Sequence, residues 1–201
     1  MKIQKHRHPM ARRSAGFTLI ELMVTLVIAA ILLTLAAPSF LQFQRNSQLT
    51  SATNSLVGAL NAARAEAMKR GKNAFVVPVS NGNAANWVDG WVVFVDIDRS
   101  QAYEPANDFT VLVQPAVPNF IAISGTGSTA VNPAYVMFDS SGYPRMKDAS
   151  FANFTLNLSR SDVSGTNQVA ETRRIKVSKA GRVSTCKPTS STDSNCLATD
   201  S

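Results

Sequence analysis

The sequence predicts an α+β protein in which one long N-terminal helix precedes a β-rich domain. Residues 17–37 form a mostly apolar run of membrane-spanning length, and its one charged residue is Glu21. Apolar residues then recur every three or four positions as far as residue 67, as on one face of a helix. From residue 73 the period changes, and short runs of β-branched or alternating residues between Gly and Asn predict strands joined by turns.

The net charge is concentrated before the apolar run. The 201 residues suffice for one modest domain beside a membrane segment, and 45% hydrophobic residues indicate a folded chain. Five of the 20 basic residues precede Phe17, and the other 15 against 13 acidic residues leave a formal charge of +2 instead of +7. Basic residues beside an apolar span stay on its cytoplasmic side, so the high pI is weak evidence for nucleic-acid binding. The five are Lys2, Lys5, Arg7, Arg12 and Arg13.

The apolar run can cross a bilayer, because its 21 residues rise about 30 Å in a helix. A secretory signal peptide would have a shorter apolar core and a small-residue cleavage site, and Leu35-Ala36-Ala37 before Pro38 is a poor one. A buried core helix is disfavoured by the length and the basic flank. An ordinary membrane anchor fits the length but leaves Glu21 unexplained.

Glu21 distinguishes these alternatives, because a carboxylate inside a span costs on the order of 3 kcal/mol and is usually paired or functional. No basic residue lies between Arg13 and Arg45. Cleavage after Gly16 would give Phe17 a free, positively charged α-amine. In a staggered stack of identical helices, Glu21 of one subunit would then meet that amine on its neighbour.

The segment Arg13-Ser14-Ala15-Gly16-Phe17-Thr18-Leu19-Ile20-Glu21-Leu22 resembles the processing site of type IV pilins and type II secretion pseudopilins. The resemblance implies that a prepilin peptidase cleaves after Gly16 and methylates Phe17. It also implies that Glu21 is the carboxylate required for assembly.

Helical patterning resumes beyond Pro38, which should kink the helix. Gly71 is the predicted helix stop. The second half of a helix over 17–70 would pack on the globular domain, while the first half stays in lipid or in the filament core. The predicted apolar face consists of Leu49, Ala52, Leu56, Ala59, Leu60, Ala63 and Ala67.

The region after residue 73 is predicted to hold six strands and four turns. The strands are Phe75–Val79, Trp91–Val95, Phe109–Gln114, Tyr135–Phe138, Phe154–Ser159 and Arg174–Ser178. The turns are Asn81-Gly82-Asn83, Gly125-Thr126-Gly127, Ser141-Gly142 and Ala180-Gly181.

The two cysteines, Cys186 and Cys196, are most simply one disulfide in a domain exported from the cytoplasm. Such a bond would stabilise the C-terminal tail by roughly 3 kcal/mol. Two free thiols or half of a metal site are the alternatives. A metal site has little support, because both histidines, His6 and His8, lie in the predicted leader.

The segments Leu60-Asn61-Ala62-Ala63-Arg64-Ala65-Glu66-Ala67 and Gly90-Trp91-Val92-Val93-Phe94-Val95-Asp96 resemble the H-type pseudopilins and the FimT and FimU minor pilins. The resemblance implies a sandwich-like β domain packed on the helix. The expected divisions are a leader at 1–16, a transmembrane or filament-core helix at 17–37, its amphipathic continuation at 38–72, and a periplasmic β-rich domain at 73–201.

A basic segment near the C-terminus has six positive charges and no acid over residues 173–187. Its positive charge would attract phosphate backbones, but a solvated edge strand that discourages edge pairing explains it more simply. The segment Gly181-Arg182-Val183-Ser184-Thr185-Cys186 resembles FimT-type pilins, some of which bind DNA through a Gly-Arg-x-Arg pattern. Ser184 replaces the second arginine. The candidate DNA-binding residues are Arg174, Lys176, Lys179, Arg182 and Lys187.

The remaining patterns give little support for a metal site or an enzyme. Asp96-Ile97-Asp98-Arg99-Ser100 is like the start of a calcium loop, but Gln101 and Asn107 replace the glycine and glutamate expected at positions six and twelve. A polar loop is the interpretation. Beyond the leader the sequence has no histidine and no Gly-rich phosphate motif, so no enzyme, cofactor or metal is predicted.

The resemblance implies a minor pilin that helps to initiate or cap a type IV pilus used for twitching motility, adhesion or DNA uptake. Its expected partners are the prepilin peptidase, other minor pilins, the major pilin and the inner membrane. A DNA-binding minor pilin for natural transformation and the H-type pseudopilin of type II secretion are the alternatives.

Overall fold

The computed structural model describes residues 16–79 and 86–198. The predicted leader, apart from Gly16, and the predicted turn at 81–83 lie outside the described residues. The chain divides into two compact units, residues 1–43 and 44–201.

Helix α1, Leu19–Arg70, begins in the first unit and ends in the second. At its start the Thr18 hydroxyl accepts a hydrogen bond from the Glu21 N–H at 3.2 Å, as an N-cap does. The helix runs through Pro38, and the predicted kink there stays a prediction. It ends as predicted at Gly71, whose φ of 64° lets the Lys72 N–H reach the Ala67 carbonyl at 3.3 Å.

The second unit contains the predicted apolar face of α1. All seven of its residues are buried, with at most 8% exposure. They share one hydrophobic core with residues from both sheets, including Val93, Phe138 and Leu156. The three/four spacing is confirmed, and its small alanines let sheet residues approach the helix closely.

Two antiparallel sheets complete the second unit. Their strand orders are β3-β2-β1-β5-β6 and β4-β7-β8-β9. A short helix, α2, spans Thr166–Ala170. The first five strands are β1 (Ala74–Pro78), β2 (Trp91–Val95), β3 (Phe109–Gln114), β4 (Ile121–Gly125) and β5 (Val136–Phe138). The others are β6 (Pro144–Arg145), β7 (Phe154–Arg160), β8 (Thr172–Val177) and β9 (Val183–Cys186).

All six predicted strands are present. Two have the predicted bounds, and four are shifted by one or two residues at one or both ends. Strands β4, β6 and β9 were not predicted. The β6 strand has two residues and starts at a proline, and β9 has four residues, of which Ser184 and Thr185 are polar. Pairing with longer neighbours, and not local propensity, makes these segments strands.

The interpretation of the basic strand as a sheet edge was wrong. Strand β8 lies between β7 and β9 and pairs with both, so its backbone groups are already used. The alternation of buried Ile175 and Val177 with the charged Lys176 reflects a strand with one core-facing side.

A second, smaller aromatic cluster involves β1, β2 and β5. It contains Phe75, Phe94, Tyr135 and Met137, with Tyr103 packed against it. The Phe75 and Phe94 rings stack at 5.2 Å, and Tyr103 lies 5.1 Å from Phe94. Since Tyr103 belongs to the β2–β3 loop, this contact anchors that loop.

Candidate functional site

The first unit presents an exposed apolar helix surface. Among the side chains described from Phe17 to Phe43, fifteen large apolar ones are exposed, and Phe17 itself is 80% exposed. Part of α1 is long and apolar enough to cross a membrane, by length and composition. An apolar surface of this extent is stable only against lipid or against other apolar helices.

Glu21 lies in the first turn of α1. Thr18 and Glu21 have the Thr-x-x-Glu spacing of a capping box, in which the carboxylate also helps to close the helix start. Sequence reasoning missed the bond from the Glu21 N–H to the Thr18 hydroxyl, although the Thr-x-x-Glu spacing is visible in the sequence. Within the described residues no lysine or arginine forms an ion pair with Glu21, and a carboxylate in an apolar span is usually paired or functional.

The structure separates the candidate DNA-binding residues into two groups. Arg174 is 8% exposed, and its Nη1 donates a hydrogen bond to the Cys196 carbonyl. Its guanidinium therefore holds the C-terminal tail against β8. Lys176 is half-buried, whereas Lys179, Arg182 and Lys187 are exposed.

Lys176 and Arg182 line one surface cleft of about 190 Å³. Polar residues Thr155, Ser178 and Ser184 contribute to the same cleft. The Thr155 hydroxyl is buried and makes no hydrogen bond within the described residues. Two cations and several hydroxyl groups around one concavity are a chemistry suited to anions such as phosphate.

The turn before Arg182 is packed tightly against α1. Gly181 has a φ of 79°, and a Cβ built there would lie 2.3 Å from the Gly142 carbonyl oxygen. The same oxygen accepts a hydrogen bond from Arg64 Nε at 2.9 Å. Glycine at 181 is therefore a packing requirement that places Arg182 beside the cleft.

A disulfide joins Cys186 at the end of β9 to Cys196, with 5.8 Å between the Cα atoms. The tail that it closes is also held by an Asn157 to Ala198 hydrogen bond at 3.4 Å. Asp193 accepts hydrogen bonds from the Thr189 and Asn195 N–H groups inside the loop. The end of the described chain is thus fixed on β7 and β8.

An ion-pair cluster joins α1 to the end of β7. Asp162 Oδ2 lies 2.5 Å from Arg160 Nη2 and 2.6 Å from Arg45 Nη1. The Arg160 side chain is 1% exposed. Its hydrogen bonds to Asp162, followed by that from Arg45, lower the pKa of this carboxyl to about 2. Sequence reasoning did not select any of these three residues. Arg45 lies 117 positions from Asp162, and nothing in the sequence shows that Arg160, two positions from Asp162, is buried.

A cluster of carboxylates lies in the β2–β3 loop. One ligand oxygen from each of Asp96, Asp98 and Asp108 lies within 4.8 Å of the others. Burial raises the pKa of Asp96, whereas a hydrogen bond from the Ser100 N–H lowers the pKa of Asp98. Sequence reasoning noticed the first two residues but not Asp108.

The model of the family described as type II transport protein GspH matches residues 52–181, more than half of the chain. The chain belongs to this family of H-type pseudopilins and type IV minor pilins. A prokaryotic N-terminal methylation motif matches residues 11–37, which include Gly16, Phe17 and Glu21. Pilins and pseudopilins are structural proteins, so this pseudopilin-family chain is not an enzyme.

The fold is that of a pilin. The type IV minor pilin FimU of Pseudomonas aeruginosa PAO1 superposes with a TM-score of 0.51 and 15% identity, over 74% of this chain and 99% of FimU. A second crystal form of FimU gives a TM-score of 0.51 and 17% identity, over 68% of this chain and 91% of FimU. The predicted α+β class, a long apolar helix followed by antiparallel sheets, is confirmed.

A curated relative is the pilin-like protein PilA1 of Thermus thermophilus. It is 38% identical over 101 residues, which are 50% of this chain and 58% of PilA1. The chain therefore matches little more than half the length of that relative.

Proposed function

We propose that this pseudopilin-family chain is a minor pilin that helps to initiate or cap a type IV pilus. The observation that carries the proposal is the exposed apolar face of α1 with the single carboxylate of Glu21 at its start. That surface requires lipid before assembly and apolar neighbours after it. The inner membrane, with residues 73–201 in the periplasm, is the proposed location before assembly.

Cleavage after Gly16 supplies the charge that the proposal needs. The methylated Phe17 amine of one subunit is the proposed partner of Glu21 on the next. A charge pair of this kind inside an apolar environment is stronger than in water, because the local dielectric is low. The prepilin peptidase, other minor pilins and the major pilin are the proposed partners.

Two substitutions separate the charge of Glu21 from its place in the helix cap. Glu21→Leu removes both the charge and the polar side chain of the cap. Glu21→Gln keeps a side chain suited to a capping box but removes the charge. We expect both variants to insert in the membrane and to fall at least tenfold in sheared filaments. Quantitative immunoblots of the membrane and filament fractions measure the ratio.

Thr25→Leu is the matched control, because it replaces a polar residue one turn further along α1 whose hydroxyl donates to the Leu22 carbonyl. It should leave incorporation unchanged. Normal incorporation of Glu21→Gln would contradict the charge-pair role and leave capping as the explanation.

A DNA-binding minor pilin for natural transformation is the second candidate function. The observation in its favour is the shared cleft of Lys176 and Arg182, with the exposed Lys179 and Lys187 on the same basic segment. Arg174 is left out of this interface because it is buried against the tail.

Duplex DNA binding by the full chain in non-ionic detergent tests this candidate. Affinity should fall steeply with salt, and Arg182→Ala should weaken it several-fold and reduce the salt dependence by about one ion. Lys69→Ala, an exposed lysine at the end of α1, is the control and should have no effect. Equal losses in both variants, or no binding at low salt, would remove this candidate.

The family model also supports the H-type pseudopilin of type II secretion as an alternative. The two systems differ in the phenotype that a deletion produces. Loss of pili without loss of exoprotein secretion is the result expected from the minor-pilin proposal. Loss of secretion with normal pili would favour the pseudopilin.

A further inference from the structure

The β2–β3 loop, residues 96–108, brings together three carboxylates from separate positions in the chain. Asp96 directly follows β2 and Asp108 directly precedes β3. Because Val95 pairs with Phe109, the two ends of the loop are adjacent. Asp98 is in the loop itself, and the three ligand oxygens lie within 4.8 Å of one another.

Asp96 has an unsatisfied acceptor at this point. The residue is 1% exposed, and its Oδ1 makes no hydrogen bond within the described residues. Its Oδ2 accepts a hydrogen bond from the Gln101 N–H at 3.2 Å. A buried carboxyl oxygen without a partner is costly, and a bound cation would satisfy it.

Neighbouring lysines do not provide that charge. Lys72 Nζ donates to the Ile97 carbonyl at 3.3 Å, and Lys147 Nζ donates to the Gln101 carbonyl at 2.8 Å. Across the described parts of the chain, neither they nor any arginine forms an ion pair with the three aspartates.

The other two carboxylates are held in place before any ion binds. Asp98 Oδ1 accepts from the Ser100 N–H at 2.9 Å. Asp108 accepts from the Ile97 N–H at 3.1 Å and from the Glu104 N–H at 2.9 Å. The Tyr103 hydroxyl lies 2.8 Å from the Thr110 hydroxyl, and its ring packs on Phe94. Fixed ligands lose little entropy when they bind.

We propose that the β2–β3 loop is a Ca²⁺ site whose protein ligands are Asp96, Asp98 and Asp108. Carboxylate oxygens are hard donors, and Ca²⁺ binds them at about 2.3–2.6 Å, so ligand oxygens on one ion lie within about 5 Å of each other. Mg²⁺ needs a tighter octahedral shell and gives up its water reluctantly.

This site differs from the calcium loop that sequence reasoning rejected. Gln101, at the position where that loop has glycine, adopts a φ of 59° and makes the turn without glycine. The third carboxylate is Asp108, one position beyond Asn107. Few protein ligands and an exposed loop are typical of weaker sites, with a Kd of roughly 10⁻⁴ to 10⁻³ M.

Calorimetric titration of the full chain with Ca²⁺ or Mg²⁺ tests the proposal. The protein is kept in non-ionic detergent, is first treated with EGTA, and is titrated at constant ionic strength. Ca²⁺ should bind saturably with one site and raise the Tm, and Mg²⁺ should bind at least tenfold more weakly. Asp98→Asn changes an exposed residue, so it should fold normally and lose at least tenfold in Ca²⁺ affinity. Asp96→Asn should abolish the Ca²⁺ response without lowering the Tm of the EGTA-treated protein.

Asp148→Asn is a matched control. Asp148 Oδ1 accepts from the Ser150 N–H at 2.9 Å, as Asp98 does from Ser100, and the middle residues of both turns have positive φ, 68° at Ala149 and 66° at Arg99. This variant should bind Ca²⁺ like the unmodified chain.

Three results would overturn the proposal. One is the absence of a saturable Ca²⁺ response. In that case a proton shared by Asp96 and Asp98, and not a metal ion, would satisfy the buried carboxyl oxygen. Another is an equal loss of affinity in Asp98→Asn and Asp148→Asn, which indicates a general charge effect. The third is a Ca²⁺ response that survives Asp96→Asn.

Discussion

Glu21 combines a local role with a proposed role between subunits. Its N–H and the Thr18 hydroxyl form a helix cap at 3.2 Å, which any globular helix could use. Its charge, however, lies on an apolar surface with no cation bonded to it in the described residues. The cap explains a polar residue at this position, and the proposed contact with the Phe17 amine of a neighbouring subunit would explain a carboxylate there.

Asp162 predicts how the stability of the fold depends on pH. Its pKa is about 2 in the fold, below the ordinary value of 3.8. A lowered carboxyl pKa adds stability that is complete above pH 4 and lost as the pH falls towards 2. We expect the free energy of unfolding to drop by about 2 kcal/mol over this range through Asp162 alone. Urea unfolding between pH 2 and 6 measures it.

Asp162→Asn should remove most of this pH dependence and should destabilise the chain at pH 7, because the buried Arg160 charge loses its partner. Glu66→Gln, which breaks the exposed pairs with Lys69 and Arg70, is the control and should have a much smaller effect. Equal effects of the two substitutions would show that Arg160 does not depend on Asp162.

Single residues were the least predictable from the sequence. Gly16, Phe17 and Glu21 stand out because one local motif contains them. Asp108 and the Arg45–Asp162 pair become significant only when the fold brings distant positions together. Arg174 looked like a surface cation, but the tail covers it. Sequence distance hides such contacts.

At the scale of elements, helix α1 was predicted almost completely. Its amphipathic spacing and its glycine stop are local signals, and the seven predicted core residues are buried. Strands β4 and β9 were missed because they form through pairing with β7 and β8. The basic β8 strand was placed at an edge because charge alone does not reveal a further strand beside it.

The β8–β9 turn gives the prediction at this scale. Gly181→Ala would place a Cβ 2.3 Å from the Gly142 carbonyl oxygen, in addition to its positive φ of 79°. We expect a loss of about 2–3 kcal/mol in the free energy of unfolding, since both a backbone clash and an unfavourable φ are introduced. Chemical denaturation measures the loss.

Gly71→Ala is the matched control. Gly71 also has positive φ, 64°, but a Cβ there meets nothing within 4 Å. The Gly71→Ala substitution should lower the free energy of unfolding by about 1 kcal/mol, through the backbone conformation alone. A loss at Gly181 no larger than at Gly71 would show that the turn moves away from Gly142 freely.

At the scale of the whole molecule, the two units have different physical requirements. Residues 44–198 bury a shared core of helix and sheet residues. Residues 17–43 expose apolar side chains along the helix. The five basic residues before Phe17 account for most of the net charge of +7, and their removal would leave a chain with a formal charge of +2. Processing therefore changes both the charge and the assembly state in our proposal.

Intact-mass spectrometry of the protein from sheared filaments tests the central proposal most directly. The mass should correspond to a chain that starts at Phe17, with one added methyl group and with two hydrogens fewer for the Cys186–Cys196 disulfide. Fragmentation should place the methyl group on the Phe17 amine. A filament-associated protein that keeps residues 1–16, or one that is absent from filaments although it is present in the membrane, would contradict the account.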